Sequence, residues 1–514
     1  MSSIGIDFGT TNSLMVAYDK QKNKFSYFSY NGDKPTPISS TVWYHDNKIT
    51  VGSEARENIH RFSETEGHHF EKSIKLRLGS EYTANVFGVK TTPSAVASEI
   101  IKHIKRVAEI EYKADKIVDD LRQAVFTVPI SFNGKARRDL RKAANEAGIE
   151  ISTFIHEPFA AIVGYFFTKE NRSYDSIISD LQNLDGKYVL TFDWGGGTLD
   201  ITVVKIENGK MEEYGTSELT NLAGDKFDEY IANWAWNKFL DKIEQGKYTA
   251  EYLETCRKKK WGKLLAIAEM CKIELSMEES TEFLLDSVLP DEEQGICETL
   301  TRNEFSSLIG NIIDKACNKI DDAIHQAGIN DINISHVLLT GGTCCIPVIQ
   351  NKLREKFGHR VEAIDNGDLV IAQGAAVVSE LRWLPFLTKD IQVELSDNSY
   401  FSLFEHNMPI ATNIEAVKSE SFTCVDQRGK IAKVIISDGL EQNKDNTLAI
   451  LNVPVLADPR FGDEIVVEAR LDKDIILHIS ANSKMVMGYG NDEKYSIRKS
   501  AEIYKMCFGL EIVR

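Results

Sequence analysis

Two stretches of this chain follow one plan. The first, IGIDFGTTNSLMVAY from Ile4 to Tyr18, is an apolar run, an aspartate (Asp7), a Gly9-Thr10-Thr11 tip and a second apolar run. The second, VLTFDWGGGTLDITVV from Val189 to Val204, sets Asp193 before Gly195, Gly196, Gly197 and Thr198 and then returns as Ile201 to Val204. Apolar and β-branched runs on both sides of a glycine tip favour two strands joined by a tight turn. Without side chains at the tip another group can approach the N–H row closely, so successive amides and a hydroxyl face an anion, and phosphate is the obvious guest. The aspartate ending each incoming strand faces the same space, where a hard cation such as Mg²⁺ takes carboxylate and water oxygens. A single hairpin of this kind reads as an ordinary glycine-rich turn. Two of them predict two similar domains, each lending a phosphate-binding hairpin to a shared cleft. A third strand-to-glycine turn, HVLLTGG from His336 to Gly342, points to the same nucleotide. Neither G-x-x-x-x-G-K-[ST] nor G-x-G-x-x-G occurs in the chain, so the P-loop and Rossmann solutions are not supported.

At 514 residues the chain exceeds what one core supports, which predicts two to four domains or lobes. A net charge of −17 argues against nucleic acid or an anionic membrane as the main partner. The basic run Arg257 to Lys260 has helical context and reads as a solvated helix face. The chain opens almost directly on a strand, with no signal peptide expected, and the longest apolar run, Phe159 to Phe167, is too short to span a bilayer. The 8 cysteines form no C-x-x-C pair, which suggests reduced thiols in a cytoplasm and no zinc site. Cys344 and Cys345 are expected in a core or pocket wall, and His68 and His69 in a solvated polar loop. Mixed βα segments run to about Leu381, with helices expected at Pro93 to Ile110, Lys135 to Ala147 and Phe305 to Ala327, the last two closed by Gly148 and Gly328. From Ile391 short alternating runs separated by turns have the pattern of an antiparallel β-sandwich. The partition expected is an α/β nucleotide-binding (ATPase) domain over 1–382, a linker over 383–390 and a small all-β sandwich over 391–514.

With these features in place, the chain resembles the heat-shock protein 70 (DnaK-like) chaperones of the actin and sugar-kinase ATPase superfamily. GIDFGTTNS resembles that family's first phosphate loop and FDWGGGTLDI its second. AVFTVPISF, ARRDLRKAANEAG and IHEPFAAIVGY resemble its connecting segment, LTGGTCCIP its adenosine loop, and NGDLVIAQGAAV the helix that follows. Similarity is strong to about Leu381 and looser beyond, through DNTLAILNVPV and GDEIVVEARLDKDIILHISA. It implies a two-lobed, actin-like (ribonuclease H-like) ATPase followed by a β-sandwich that binds polypeptide.

The resemblance implies ATP or ADP with Mg²⁺ as cofactors. Asp7 and Asp193 would hold the metal through water. Gly9, Thr10, Thr11, Asn12, Gly195, Gly196, Gly197 and Thr198 would hold phosphates, and Glu157 would orient the attacking water or the metal shell. Glu157 precedes Pro158, which biases it to an extended conformation at a strand end. Asp200 either supports the loop or stabilises a turn. Glu269, Lys272 and Ser276, spaced by three and four on one helix, match the ribose and adenine contacts, or form a solvated polar stripe. Gly224, Gly341, Gly342 and Asp368 complete the implied nucleotide contacts. The family's catalytic lysine aligns with Arg56 in VGSEARENI, a planar fork in place of a compact ammonium, so slow hydrolysis is expected. Two adenine-sandwiching arginines align with Ile273 and Cys345, implying an apolar slot. An arginine that docks J-domain co-chaperones aligns with Thr153, which counts against that partner, while a nucleotide-exchange factor stays open. The last family-like strand is expected to end near Ser483, leaving too little chain for a helical lid.

Two functions follow. One is an ATP-driven chaperone in which nucleotide state controls a lid-less β-domain that binds unfolded or extended polypeptide. The other is a nucleotide-sensing interaction protein that docks one dedicated partner with little turnover. Apolar residues of NSYFSLF, namely Tyr400, Phe401 and Phe404, are candidates for a peptide groove or for the sandwich core.

Overall fold

The computed structural model describes residues 3–31, 34–63, 65–115, 121–168, 173–244, 246–289, 295–364, 367–410, 415–424, 430–439, 446–455, 463–483 and 498–512. Two sheets of matching connectivity organise the first three-quarters of the chain. The first holds β1 (Ile4–Phe8), β2 (Asn12–Asp19), β3 (Lys24–Tyr27), β4 (Gln123–Val128) and β5 (Glu150–His156) in the order β5-β4-β1-β2-β3. The second holds β6 (Lys187–Trp194), β7 (Thr198–Glu207), β8 (Lys210–Thr220), β9 (Ile334–Thr340) and β10 (Val361–Ala363) in the order β10-β9-β6-β7-β8. Strand β1 is antiparallel to β2 and parallel to β4, just as β6 is antiparallel to β7 and parallel to β9. The repeated aspartate-glycine motif is thus the corner of a repeated sheet. Asp7 lies opposite Leu14 in one hairpin and Asp193 opposite Asp200 in the other.

Helices α1 (Ser53–Phe62), α2 (Pro93–Asp115), α3 (Gly134–Glu146) and α4 (Glu157–Thr168) belong to the first half. The second half carries α5 (Gly224–Lys242), α6 (Ala250–Glu274), α7 (Arg302–Gln326) and α8 (Gly367–Leu381). Caps set the ends that periodicity leaves open. Asn133 accepts from the Ala136 amide at the head of α3, and a Thr301–Glu304 capping box starts α7 three residues before Phe305. Gly148 and Gly328 follow α3 and α7 at φ +71° and +67°. The most apolar helices, α4 and α8, are packed between the two sheets. Their backbones nearly touch, since a Cβ on Gly374 would fall 1.9 Å from the Ala160 carbonyl oxygen and one on Gly164 2.0 Å from that of Val370.

Beyond α8, β11 (Leu384–Leu387) leads into two four-stranded antiparallel sheets, as the alternating pattern predicts. One contains β12 (Ile391–Glu394), β13 (Tyr400–Phe404), β15 (Ile431–Asp438) and β16 (Thr447–Pro454) in the order β13-β12-β15-β16. The other contains β14 (Ala416–Cys424), β17 (Asp463–Leu471), β18 (Leu477–Ser483) and β19 (Lys499–Ile503) in the order β14-β17-β18-β19. Their buried faces share one hydrophobic cluster with the first half, from Ile4 and Leu140 to Val434 and Leu477. Of the three groove candidates Phe404 is core, Tyr400 is half-buried, and Phe401 is 37% exposed with its ring edge-to-face on Phe422.

Three local expectations change. The linker stretch 383–390 contains a strand, β11. The chain beyond Ser483 supplies β19 and a final strand, β20 (Phe508–Glu511). Strand β20 joins the second sheet, pairing with β8 on one side and β11 on the other. Four apolar residues before a charged turn find a sheet edge once this strand completes it. His68 and His69 lie on a strand, His68–Glu71, because the Trp43 indole stacks on His68 and donates to its Nδ1 at 3.1 Å. The basic run on α6 is solvated as expected, with Lys258 and Lys259 exposed. Among the described residues no helix is long and apolar enough to cross a membrane.

The close crossing of α4 and α8 predicts that Gly374→Ala destabilises the protein by about 2–3 kcal/mol through overpacking. Gly310, inside α7 with nothing within 4 Å of an added Cβ, should respond oppositely. Gly310→Ala should stabilise by about 0.5–1 kcal/mol. Thermal melts of the two variants moving in opposite directions check the packing.

Candidate functional site

Both glycine tips open onto one cavity of about 640 Å³ between the two halves, lined by Asp7 and Gly9 to Asn12 on one side and by Asp193 and Gly195 to Thr198 on the other. Each tip is braced from outside the hairpin. The Ser40 hydroxyl donates to the Gly9 carbonyl at 2.9 Å and the Ser40 amide to the Thr11 carbonyl at 2.7 Å. On the second tip the Asp225 amide donates to Gly196 at 2.8 Å, and the Gly224 amide and the Thr343 hydroxyl donate to Gly195 at 3.1 and 2.8 Å. Gly341 takes φ +81°, and a Cβ there would fall 2.5 Å from the Trp194 carbonyl oxygen and 2.6 Å from Asp193 Oδ1. Glycine is therefore what lets the third turn close on the second.

The acidic centre is assembled from separate elements. Asp7 is buried and accepts from Thr127 Oγ1 at 2.6 Å. Glu157 opens helix α4 directly after β5, a correction to the extended strand end expected before Pro158; a proline in the first helical turn sacrifices no intrahelical bond. Facing Glu157 is a residue that sequence reasoning missed. Lys75, on a short turn over Ile74–Arg77, is 6% exposed and places its Nζ 2.5 Å from Glu157 Oε1. Burial opposes its charge, yet Glu157, Asp7 and Asp193 outweigh that and hold its pKa above the usual lysine value. The available signal was faint, a lysine flanked by Ile74 and Leu76 in an otherwise polar stretch.

Arg56, aligned above with the family's lysine, sits on α1 and pairs with Glu269 of α6. The compact ammonium near both aspartates belongs to Lys75. Lys272 lines the cavity but is no solvated stripe, because its ammonium pairs with Asp228 of α5 at 2.8 Å and donates to the Gly224 carbonyl at 3.0 Å. Ser276 does not share their helix: α6 ends at Glu274, and the Ser276 hydroxyl donates to the Lys272 carbonyl at 3.3 Å. Ile273 and Gly342 line the cavity, Ile273 at 54% exposure, whereas Cys345 is exposed and outside the lining. Cys344, by contrast, is buried with its thiol on the Phe192 carbonyl. Asp368 is the second residue of α8, and its side chain lies outside the described residues. Asp200 lines the cavity and accepts from Thr198 Oγ1 at 2.9 Å. Burial, reinforced by the charge of Glu157, pushes its pKa up to about 6.

Paired aspartate-glycine hairpins on duplicated sheets thus meet at one cavity, with a lysine among the carboxylates. A family model described as "Hsp70 protein" matches residues 3–506. The chain is also 27% identical over 513 residues to the protein named "Chaperone protein DnaK" from Mycoplasmopsis pulmonis (strain UAB CTIP), covering 97% of this chain and 79% of that relative. The chain belongs to the Hsp70 family.

Two tests follow from the charges. Lys75→Ala should cost about 3 kcal/mol by leaving Glu157 buried without its partner, and adding Glu157→Gln should recover part of it; a double-mutant cycle by denaturant unfolding measures the coupling. For Asp200, whose folded value of about 6 lies above the ordinary 3.8, the folded chain binds the extra proton. Its stabilising contribution is present below about pH 4 and is lost as pH rises through about 6. Nucleotide-free Asp200→Asn should therefore flatten stability against pH in that window and melt higher than the parent at pH 8.

Proposed function

We propose that this chain is an ATP-dependent chaperone of the Hsp70 type. In this reading residues 1–382 are a two-lobed, actin-like ATPase whose second sheet is completed by β11 and β20, the part of 391–514 before β20 is a β-domain, and nucleotide state governs how that domain holds unfolded or extended polypeptide. The observation that carries the reading is the convergence of both aspartate-glycine hairpins and Lys75 on one cavity.

The donor set fits a hydrated magnesium ion, since Asp7 and Asp193 offer hard oxygens on facing strands and one ammonium does not balance three carboxylates. When bound, the metal supplies charge neutralisation to the β- and γ-phosphates. The chain does the rest. Amides of Thr10, Thr11, Gly196 and Gly197, with the hydroxyls of Thr10 and Thr11, grip phosphate oxygens, while the Gly9 and Gly195 amides hold the tips themselves by donating to the Ser13 hydroxyl and the Thr198 carbonyl. Lys75 presents its ammonium where charge grows on the transferred phosphoryl group, and Glu157, fixed by that same ammonium, orients the attacking water. Thr198 is in turn held by Asp200. Glu269, Lys272, Ile273, Gly341 and Gly342 face the adenosine end. Because Lys75 fills the ammonium position, Arg56 gives no reason for slow turnover. The family relationship supports polypeptide over a single dedicated partner, and the exposed face of Phe401, packed edge-to-face on Phe422, offers apolar surface to an extended chain.

Asp193→Asn and Asp7→Asn should each lower turnover about 100-fold or more and weaken Mg·ATP binding. Calorimetry and a phosphate-release assay measure both, and unchanged affinity and turnover in both variants would overturn the ATPase. Lys75→Ala should abolish turnover while Arg56→Ala retains at least a tenth of it.

A further inference from the structure

The last described strand packs against the residue that precedes Glu157. Strand β20 is threaded between two partners, with Met211 of β8 opposite Leu510 and Leu387 of β11 opposite Phe508. The fit is close, since a Cβ on Gly509 would fall 2.5 Å both from the Met211 carbonyl oxygen and from Phe386 Cζ. The approach to the strand is anchored too, with the Gly134 amide donating to the Tyr504 carbonyl at 2.8 Å. Held in this way, Phe508 is 2% exposed and lays its ring on His156, centroids 3.9 Å apart and planes 22° from parallel. The Arg137 guanidinium also lies over the Phe508 ring at 5.6 Å.

His156 ends β5 and is followed directly by Glu157. It is 3% exposed with its Nδ1 lacking a hydrogen-bond partner among the described residues, and the backbone of Val128 and Pro129 lies beside its ring, the latter part of the cavity wall. Burial and the Arg137 charge keep it neutral, its pKa pushed down to about 3. The ring therefore acts through packing at any working pH. We propose that Phe508, carried by β20, is a positioning residue for Glu157: its ring fixes His156, and His156 fixes the backbone that aims the Glu157 carboxylate at the attacking water. The proposal rests on the ATPase reading above. It makes the position of β20 a determinant of the rate of hydrolysis while leaving the phosphate-gripping hairpins untouched.

Removing the ring opens space beside His156, and small misplacement of a water-orienting group costs far more in rate than in binding. Phe508→Ala should lower kcat about tenfold while ATP affinity stays within twofold. Phe508→Leu, which fills part of the space without a ring face, should fall between it and the parent. Gly509→Ala, which displaces the strand, should move kcat in the same direction. Ile332→Ala, at a position 84% exposed on a distant turn, should match the parent. The deciding measurement is Phe508→Ala in a Glu157→Gln background, where no further loss of kcat is expected because the ring acts through that carboxylate. Independent, multiplying losses in the double variant would overturn the proposal, as would parental kcat in Phe508→Ala and Gly509→Ala. If Phe508→Ala does not fold, Phe508→Leu carries the same comparison. A parent that neither binds nor hydrolyses ATP would overturn the ATPase reading and this inference with it, whereas a turning-over parent indifferent to β20 would overturn the inference alone.

Discussion

A single buried ammonium surrounded by three carboxylates sets the terms for everything around it. Lys75 reaches the centre from a short turn, Asp7 from β1, Glu157 from the head of α4 and Asp193 from β6. Charges so largely buried are tolerable only with partners in good geometry. The Thr127 hydroxyl on Asp7 and the Lys75–Glu157 pair provide them. Both halves must approach closely for the four groups to meet, and within the second half the third turn passes against Trp194 and Asp193 with no room for a side chain at Gly341. The same excess of carboxylate suits the centre to a hydrated cation and, through it, to phosphate.

What could be read from the sequence was what is encoded locally. A strand ending in aspartate and glycine announces its own turn, so both hairpins and the duplication they imply were legible in stretches of fifteen and sixteen residues. Helices α3 and α7 were legible for the same reason, as were the alternating strands of the sandwich. The role of Lys75 was not, because nothing near it in sequence sets it apart; its partners arrive from Glu157, Asp7 and Asp193, brought together by tertiary packing. Arg56 took its place by alignment, and the structure turns that side chain towards Glu269 instead. Ser276 was misassigned by the length of one helix end, a boundary that propensity does not fix. Strands β11 and β20 are four residues each, and a run that short becomes a strand only by virtue of the neighbour it finds.

The β-sandwich is joined to the first half by more than the connecting segment. Arg137 and Arg141 of α3 are both buried and reach across to the turn before β18. Arg137 Nε donates to the Asp474 carbonyl at 2.8 Å, and Arg141 pairs with the Asp474 carboxylate at 2.5 Å and donates to the Lys473 carbonyl at 2.8 Å. A planar fork with several fixed donors suits this arrangement of carbonyls, and lysine could not reproduce it. With Ile476 packed where a Cβ on Gly134 would sit, 2.4 Å from its Cγ1, the junction is specified by shape as well as by charge.

Strand β20 also has a consequence for how the protein is made. It lies in the interior of a seven-stranded sheet, yet a ribosome delivers it long after β8, and Met211 must wait for Leu510. Until then β8 presents a bare edge of amides and carbonyls, the feature that invites pairing with another chain. Synthesis therefore passes through a stage in which strands β6 to β10 can be folded while the sheet they form stays open. A contact so distant in sequence is slow to find, and the newborn chain is exposed to aggregation for as long as the search lasts.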